Sequence, residues 1–302
     1  MTASTTASTA KPLIAVHNLH YAYPGMQTEG EPQWVLRGVE LEVYSGEVMA
    51  VMGATGAGKS TLALAMLGIV PQSTGGKIHG TVRIGTIDPR KTPVSEVARR
   101  VGLVFQDPEA QFLTSSLEDE VAFGMESLGV PPAEMEARLS RALADVGLTG
   151  YESRSPYQLS GGEKQRAAIA AILAMRPEVL ILDEPTASLD PGGAAAFAEV
   201  VNGLRASGQA TILLFSNDSD WVLATADRVA LLGDGSIRQV GPPAMVLGDV
   251  DLMHDMGLAA PQLFELSEAL CDRCNLDERF ADTTSARRAL IGRLEGRGLG
   301  QS

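Results

Sequence analysis

Gly53-Ala54-Thr55-Gly56-Ala57-Gly58-Lys59-Ser60 is the stretch on which the fold turns. It fits the P-loop pattern, glycine, four residues, then Gly-Lys-Ser. The context fits as well. Glu47-Val48-Met49-Ala50-Val51-Met52 is an apolar run with the length of a buried strand, and Thr61 to Leu67 continues with helix formers, giving strand, loop and helix in that order. Gly53, Gly56 and Gly58 free the backbone to turn successive N–H groups toward one anion at a helix N-terminus. Lys59 is then expected to reach the β- and γ-phosphates and Ser60 to ligand Mg²⁺, with Gly53, Ala54, Thr55, Gly56, Ala57, Gly58 and Thr61 completing the cradle. The plainer alternative, a glycine-rich turn with an incidental Lys-Ser, does not account for the flanking strand and helix.

Working outward, a partner for the metal should end a second buried strand. Val179-Leu180-Ile181-Leu182-Asp183-Glu184 supplies it. Asp183 is expected to hold Mg²⁺, directly or through water, and Glu184 to orient or deprotonate an attacking water. Alternatively, the pair caps a helix after Pro185.

The second diagnostic stretch is Leu159-Ser160-Gly161-Gly162-Glu163-Lys164-Gln165-Arg166. Together with the P-loop and Asp183-Glu184, it makes residues 12 to 245 resemble the ATP-binding cassette (ABC) ATPases, the family whose signature it matches. The resemblance implies a P-loop α/β cassette with a RecA-like core sheet, an antiparallel β-subdomain and a helical subdomain, working on ATP with Mg²⁺. It places Tyr23 where an aromatic ring stacks on adenine, and Gln106 at the Q-loop, reaching Mg²⁺ and the attacking water. Ser188, Leu189 and Asp190 look like the D-loop, which communicates between two subunits. ABC subunits pair head to tail, so Ser160, Gly161, Gly162 and Glu163 would serve ATP held on a partner's P-loop.

One position departs from that pattern. Family members usually carry a histidine at the end of the strand after the catalytic glutamate. Here Thr211-Ile212-Leu213-Leu214-Phe215 is that strand and Asn217 stands at the histidine position, while the four histidines, His17, His20, His79 and His254, lie elsewhere in sequence. Asn217 can donate an amide hydrogen bond but cannot become cationic or shuttle a proton. A slow site of its own beside an intact signature suggests a heterodimer, in which this chain completes a partner's competent site.

Composition agrees with a globular ATPase. Of 302 residues, 45% are hydrophobic, with 24 Lys and Arg against 37 Asp and Glu. The net charge of −13 argues against broad contact with a phosphate backbone, so no nucleic-acid partner is expected. No apolar stretch has the length of a membrane span, so any membrane role comes through a partner at the cytoplasmic face. Cys271 and Cys274 form a lone C-x-x-C without further metal ligands or a thioredoxin-like setting, and are expected as reduced cysteines on a helix. Three segments are expected: a disordered tail over 1–11, the cassette over 12–248, and a helical appendage over 249–302 whose Leu263, Phe264, Leu266 and Leu270 form an apolar stripe wanting a surface.

Gln106-Asp107-Pro108-Glu109-Ala110-Gln111-Phe112, the acidic helix start Leu117-Glu118-Asp119-Glu120, and Gly257-Leu258-Ala259-Ala260-Pro261 look like the ATPases of energy-coupling factor (ECF) transporters. That resemblance implies a vitamin or transition-metal importer with a transmembrane scaffold protein, a small substrate-binding membrane protein and a second ABC ATPase. Gln106 to Phe112 would face the scaffold. The alternatives are a soluble ABC ATPase acting on nucleic acid or ribosomes, or a non-hydrolysing regulatory subunit. Against the first, residues between Ser60 and Ser160 carry no sustained heptads and neither motif repeats. Against the second, Lys59, Asp183 and Glu184 are all intact.

Overall fold

A computed structural model describes residues 11–28, 31–274, 280, 284–288 and 290–291, without the side chains of 27–28 and 272–274. The tail expected up to residue 11 therefore lies almost entirely outside the described residues, as do the Cys274 side chain and much of the segment beyond it.

Eleven strands are described, in chain order: β1 (Ile14–Ala22), β2 (Gln27–Thr28), β3 (Glu31–Pro32), β4 (Leu36–Val43), β5 (Val48–Met52), β6 (Lys77–Ile84), β7 (Val101–Val104), β8 (Val179–Asp183), β9 (Thr211–Ser216), β10 (Arg228–Gly233) and β11 (Ser236–Gly241). Six of them form the central sheet in the order β11-β10-β5-β9-β8-β7. Its inner pairs are all parallel, and only β11 returns antiparallel through the Asp234-Gly235 turn. β5 and β9 are buried at every position, as expected of parallel strands covered on both faces.

Alternation along these strands divides the interior into two clusters. Met49 and Val51 of β5, with Leu213 and Phe215 of β9, pack toward helix Lys59–Met66 and the antiparallel sheet β4-β1-β6. Ala50 and Met52, with Ile212 and Leu214, pack toward the helices on the other face, including Leu117–Ser127, Pro132–Asp145 and Gly161–Leu173. The expected RecA-like sheet, β-subdomain and helical subdomain are all present, and Pro131-Pro132 opens the second of the two helices, with Pro131 at its N-cap and Pro132 its first residue.

The apolar stripe expected on the appendage is only partly realised. In helix Gln262–Cys274, Phe264 is buried against the main core, whereas Leu266 stays 45% exposed. The helix docks through Phe264 and Ser267, one turn apart on a narrower face than the leucine spacing implied. Its N-terminus is tied down by the Gln262 N–H, which donates to Asp220 Oδ1 at 3.2 Å.

Candidate active site

The strand order brings the chemistry together. The P-loop leaves the end of β5, Gln106 follows β7, Asp183 ends β8 with Glu184 next in the chain, and Asn217 follows β9. These are the carboxyl ends of parallel strands, where open α/β sheets bind ligands. Because β9 lies between β5 and β8, Asn217 is delivered between the P-loop lysine and Glu184. A cavity of about 450 Å³ opens there, lined by Thr55, Gly56, Gly58, Lys59, Ser60, Thr61, Gln106, Glu184 and Asn217, with Val35 and Ala187 as further lining residues that the motifs did not reveal.

Two glycines of the loop are demanded for different reasons. Gly58 has φ 106°, and a Cβ there would stand 2.9 Å from Leu36 Cδ2. Gly53 needs no unusual φ, contrary to the expectation that all three glycines serve backbone conformation. Its Cβ would instead meet the Leu232 carbonyl oxygen at 2.3 Å, so close approach to β10 excludes a side chain.

Lys59 is the centre of the site. It is buried, and its ammonium donates to Gly53 O at 2.6 Å and to Asn217 Oδ1 at 2.6 Å, and lies 3.1 Å from Glu184 Oε1. An ammonium carries only donors, so the amide oxygen of Asn217 must face it. The Asn217 backbone N–H donates to Glu184 Oε2 at 3.2 Å, making Asn217 a bridge between the lysine and the carboxylate. Glu184 adopts a left-handed conformation (φ 47°), held by its own N–H donating to Phe215 O at 2.8 Å. Strain of this kind, about 1–3 kcal/mol, gathers where a side chain must be aimed. The helix-cap alternative for Asp183-Glu184 is excluded, because the next helix begins at Pro191 and Asp190 caps it, accepting from Gly193 N at 2.6 Å.

Asp183 is suited to a metal. Its Oδ1 is buried and makes no hydrogen bond. Burial pushes its carboxyl above the usual carboxylate range, opposed by the Ser60 hydroxyl and the Lys59 charge. An orphaned carboxylate oxygen beside a hydroxyl is a hard-oxygen donor set of the kind Mg²⁺ takes. Ser60 and Asp183, with Gln106 on the cavity wall, would hold the ion, which supplies positive charge to the phosphate oxygens when bound.

Of the remaining expected residues, Tyr23 adjoins the loop and the signature does not. Tyr23 stands with its hydroxyl 3.2 Å from Thr61 Oγ1 and its ring edge-on to Tyr21, 4.9 Å between centroids. Ser160 caps helix Gly161–Leu173 in a reciprocal capping box with Glu163, the Ser160 N–H donating to Glu163 Oε2 at 2.8 Å and the Glu163 N–H to Ser160 Oγ at 3.4 Å. The signature residues do not line the nucleotide cavity of their own chain. Gly161 lies instead beside the D-loop, where a Cβ would be 3.7 Å from Ser188 O, and Gly162 lies beside Leu189.

Comparison with known proteins places the chain in a family. Residues 36–187 match the ABC transporter family. The chain is 37% identical over 284 residues to the energy-coupling factor transporter ATP-binding protein EcfA of Methanocaldococcus jannaschii, covering 94% of this chain and 98% of that one. It is 40% identical over 250 residues to a putative ABC transporter ATP-binding protein of Caldanaerobacter subterraneus subsp. tengcongensis, covering 83% of this chain but only 43% of that longer protein. Among solved structures it resembles CbiO1 of Clostridium perfringens, described as part of the ABC transporter complex CbiONQ, with a TM-score of 0.72 at 30% identity over 85% of this chain and 99% of that one. The chain therefore belongs to the ABC transporter family, as an ATPase of its energy-coupling factor branch.

Proposed function

We propose that this chain is one of two ATPase heads that pair head to tail on the cytoplasmic face of a membrane importer, each ATP being held between one head's P-loop and the other's signature. The observation that carries this reading is the half-built site: one wall holds Lys59, Ser60, Gln106, Glu184 and Asn217, and the signature glycines of the same chain face elsewhere. A second chain must supply the missing donors. In this reading Gly53, Ala54, Thr55, Gly56, Ala57, Gly58, Lys59, Ser60 and Thr61 cradle ATP, Tyr23 stacks on adenine, and Ser60, Asp183 and Gln106 hold Mg²⁺. Glu184 activates water, Ser188, Leu189 and Asp190 face the partner head, and Ser160, Gly161, Gly162 and Glu163 complete the partner's site.

The membrane partners are a transmembrane scaffold and a small substrate-binding protein, with a vitamin or a transition-metal ion as cargo. The names EcfA and CbiONQ borne by similar proteins support an importer of this type. A second apolar cavity, about 500 Å³, opens between the sheet edge and the helical subdomain, with Phe105, Leu113 and Phe123 exposed at it. It adjoins the segment Gln106–Phe112 and offers a docking surface for an apolar element of the scaffold. No helix among the described residues is long and apolar enough to cross a membrane, so attachment rests on that docking.

Asn217 makes this chain's own site the slower of two, which favours a heterodimer. Its carbonyl is committed to Lys59, and its amide has no charge to offer the γ-phosphate. Loss of one aimed electrostatic contact costs about 10²–10³ in rate. Purification of the tagged chain from detergent-solubilised membranes, with mass spectrometry of what accompanies it, tests the assembly. A second ABC ATPase with a scaffold and a small membrane protein supports it; recovery with ribosomes or nucleic acid overturns it.

A further inference from the structure

The segment between β7 and helix Leu117–Ser127 is fastened at three places. Asp107 caps its turn, accepting from Glu109 N at 3.0 Å. Beyond the turn, Glu120 Oε2 accepts from Leu113 N and Thr114 N, each at 2.9 Å, and from the Thr114 hydroxyl. The third fastening crosses to the signature. Glu109 Oε1 lies 2.5 Å from Lys164 Nζ, and the Tyr157 hydroxyl donates to Phe112 O at 3.0 Å, with the two rings edge-on. Lys164 is only 15% exposed, while Glu109 is half exposed. Lys164 also stands one helical turn from Ser160, donating its backbone N–H to Ser160 O at 2.8 Å.

A surface ion pair contributes little to stability, yet this one joins two places with different duties. One end of the segment is Gln106, on the wall of this chain's nucleotide cavity. The other grips the helix whose N-cap is Ser160. We propose that Lys164 is a positioning residue: through Glu109 it ties the Gln106–Phe112 segment to this chain's signature, so that displacement of the segment moves Ser160 relative to the ATP on the partner head. The inference rests on the paired-head reading and adds to it a route by which the two ATP sites, and whatever docks on the segment, are coupled. Packed side chains and a capped helix make the route stiff, and the ion pair, with the Tyr157–Phe112 hydrogen bond beside it, is where it can be altered.

The test uses the purified complex of this chain with its second ATPase and membrane subunits. ATP turnover and the affinity of this chain's own P-loop for a fluorescent ATP analogue are measured for Glu109→Lys, Lys164→Glu and the two together. Each single reversal is expected to lower turnover about fivefold or more while changing P-loop affinity less than about twofold, and the double reversal to restore most of the loss. Tyr157→Phe, which removes only the hydroxyl donated to Phe112, should shift turnover the same way by a smaller factor. Thermal unfolding of each variant separates loss of coupling from loss of fold, and variants that unfold are replaced by Glu109→Gln and Lys164→Gln. Turnover that stays within about twofold of wild type in the single variants, or a double variant as slow as the singles, overturns the proposal. A Ser160→Ala control distinguishes the two levels: if it leaves turnover unchanged, the paired-head reading fails and the strap falls with it. If it slows turnover while the charge reversals do not, the strap alone fails.

Discussion

Replacing Asp183 by Asn should make the nucleotide-free chain more stable and the nucleotide-bound chain less so. The wild-type carboxylate is partly buried at the end of β8 with Oδ1 unbonded, and an unsatisfied buried polar group costs about 1–3 kcal/mol, more when charged. The amide keeps the shape and removes the charge. We expect roughly 1–2 kcal/mol of stabilisation, or roughly 2–3 °C in Tm for a chain of this size. The pH dependence has a definite sign. Burial raises the folded-state value of Asp183 above its unfolded one, so the stability linked to its protonation is present below the unfolded value and lost as pH rises through the folded value. The advantage of Asp183→Asn should therefore be full at pH 8 and shrink as pH falls toward the carboxylate range. With Mg²⁺ and ATP the order reverses: wild type gains about 2.7 kcal/mol at a hundredfold excess over Kd, and the variant loses most of that gain. Thermal unfolding at several pH values, with and without Mg-ATP, reads all three effects. A variant less stable than wild type without ligand at pH 8, or equally stabilised by Mg-ATP, would refute the reasoning.

Three further outcomes follow from the same geometry. Lys59→Ala should abolish ATP binding, read by equilibrium titration; retained affinity would contradict the role given to this lysine. Asn217→His should raise turnover in the intact complex, by up to about 10²-fold if the missing contact is the limiting one, and introduce a pH dependence near the imidazole range, about 6.5. Equal rates and an unchanged pH profile would show that the amide suffices. Tyr21→Phe removes a hydroxyl bonded to Thr74 Oγ1 at 2.9 Å and Gly75 O at 2.8 Å. It should cost about 1 kcal/mol in denaturant unfolding, while ATP affinity stays put because the bond lies in the β-subdomain.

The parts of the fold readable in the sequence were those governed by local pattern. Val48 to Met52, Val179 to Leu182 and Thr211 to Phe215 declare buried strands, because a parallel strand covered on both faces is an unbroken apolar run. The P-loop declares itself because phosphate recognition by backbone N–H groups demands particular residues at fixed spacing, whereas Leu159 to Arg166 is legible only through its resemblance to a family signature. What stayed hidden depends on tertiary proximity. No periodicity says that β9 lies between β5 and β8, so nothing in the chain announces that Asn217 accepts from Lys59 while contacting Glu184. The reason for Gly53 is hidden by the same cause: the obstacle to a side chain is Leu232 O, on a strand 179 residues away in sequence. In the appendage, Leu266 carries the same apolar label as Phe264, and only docking against the core decides which is covered.

Head-to-tail pairing requires this chain's signature to serve the ATP of another head. Photolabelling of the purified complex with an azido-ATP, comparing wild type with Ser160→Arg in this chain, tests it most directly. Labelling of this chain's P-loop should persist while labelling of the second ATPase falls. Loss of label from this chain, with the second ATPase unaffected, would mean that the signature completes its own site and would contradict the account.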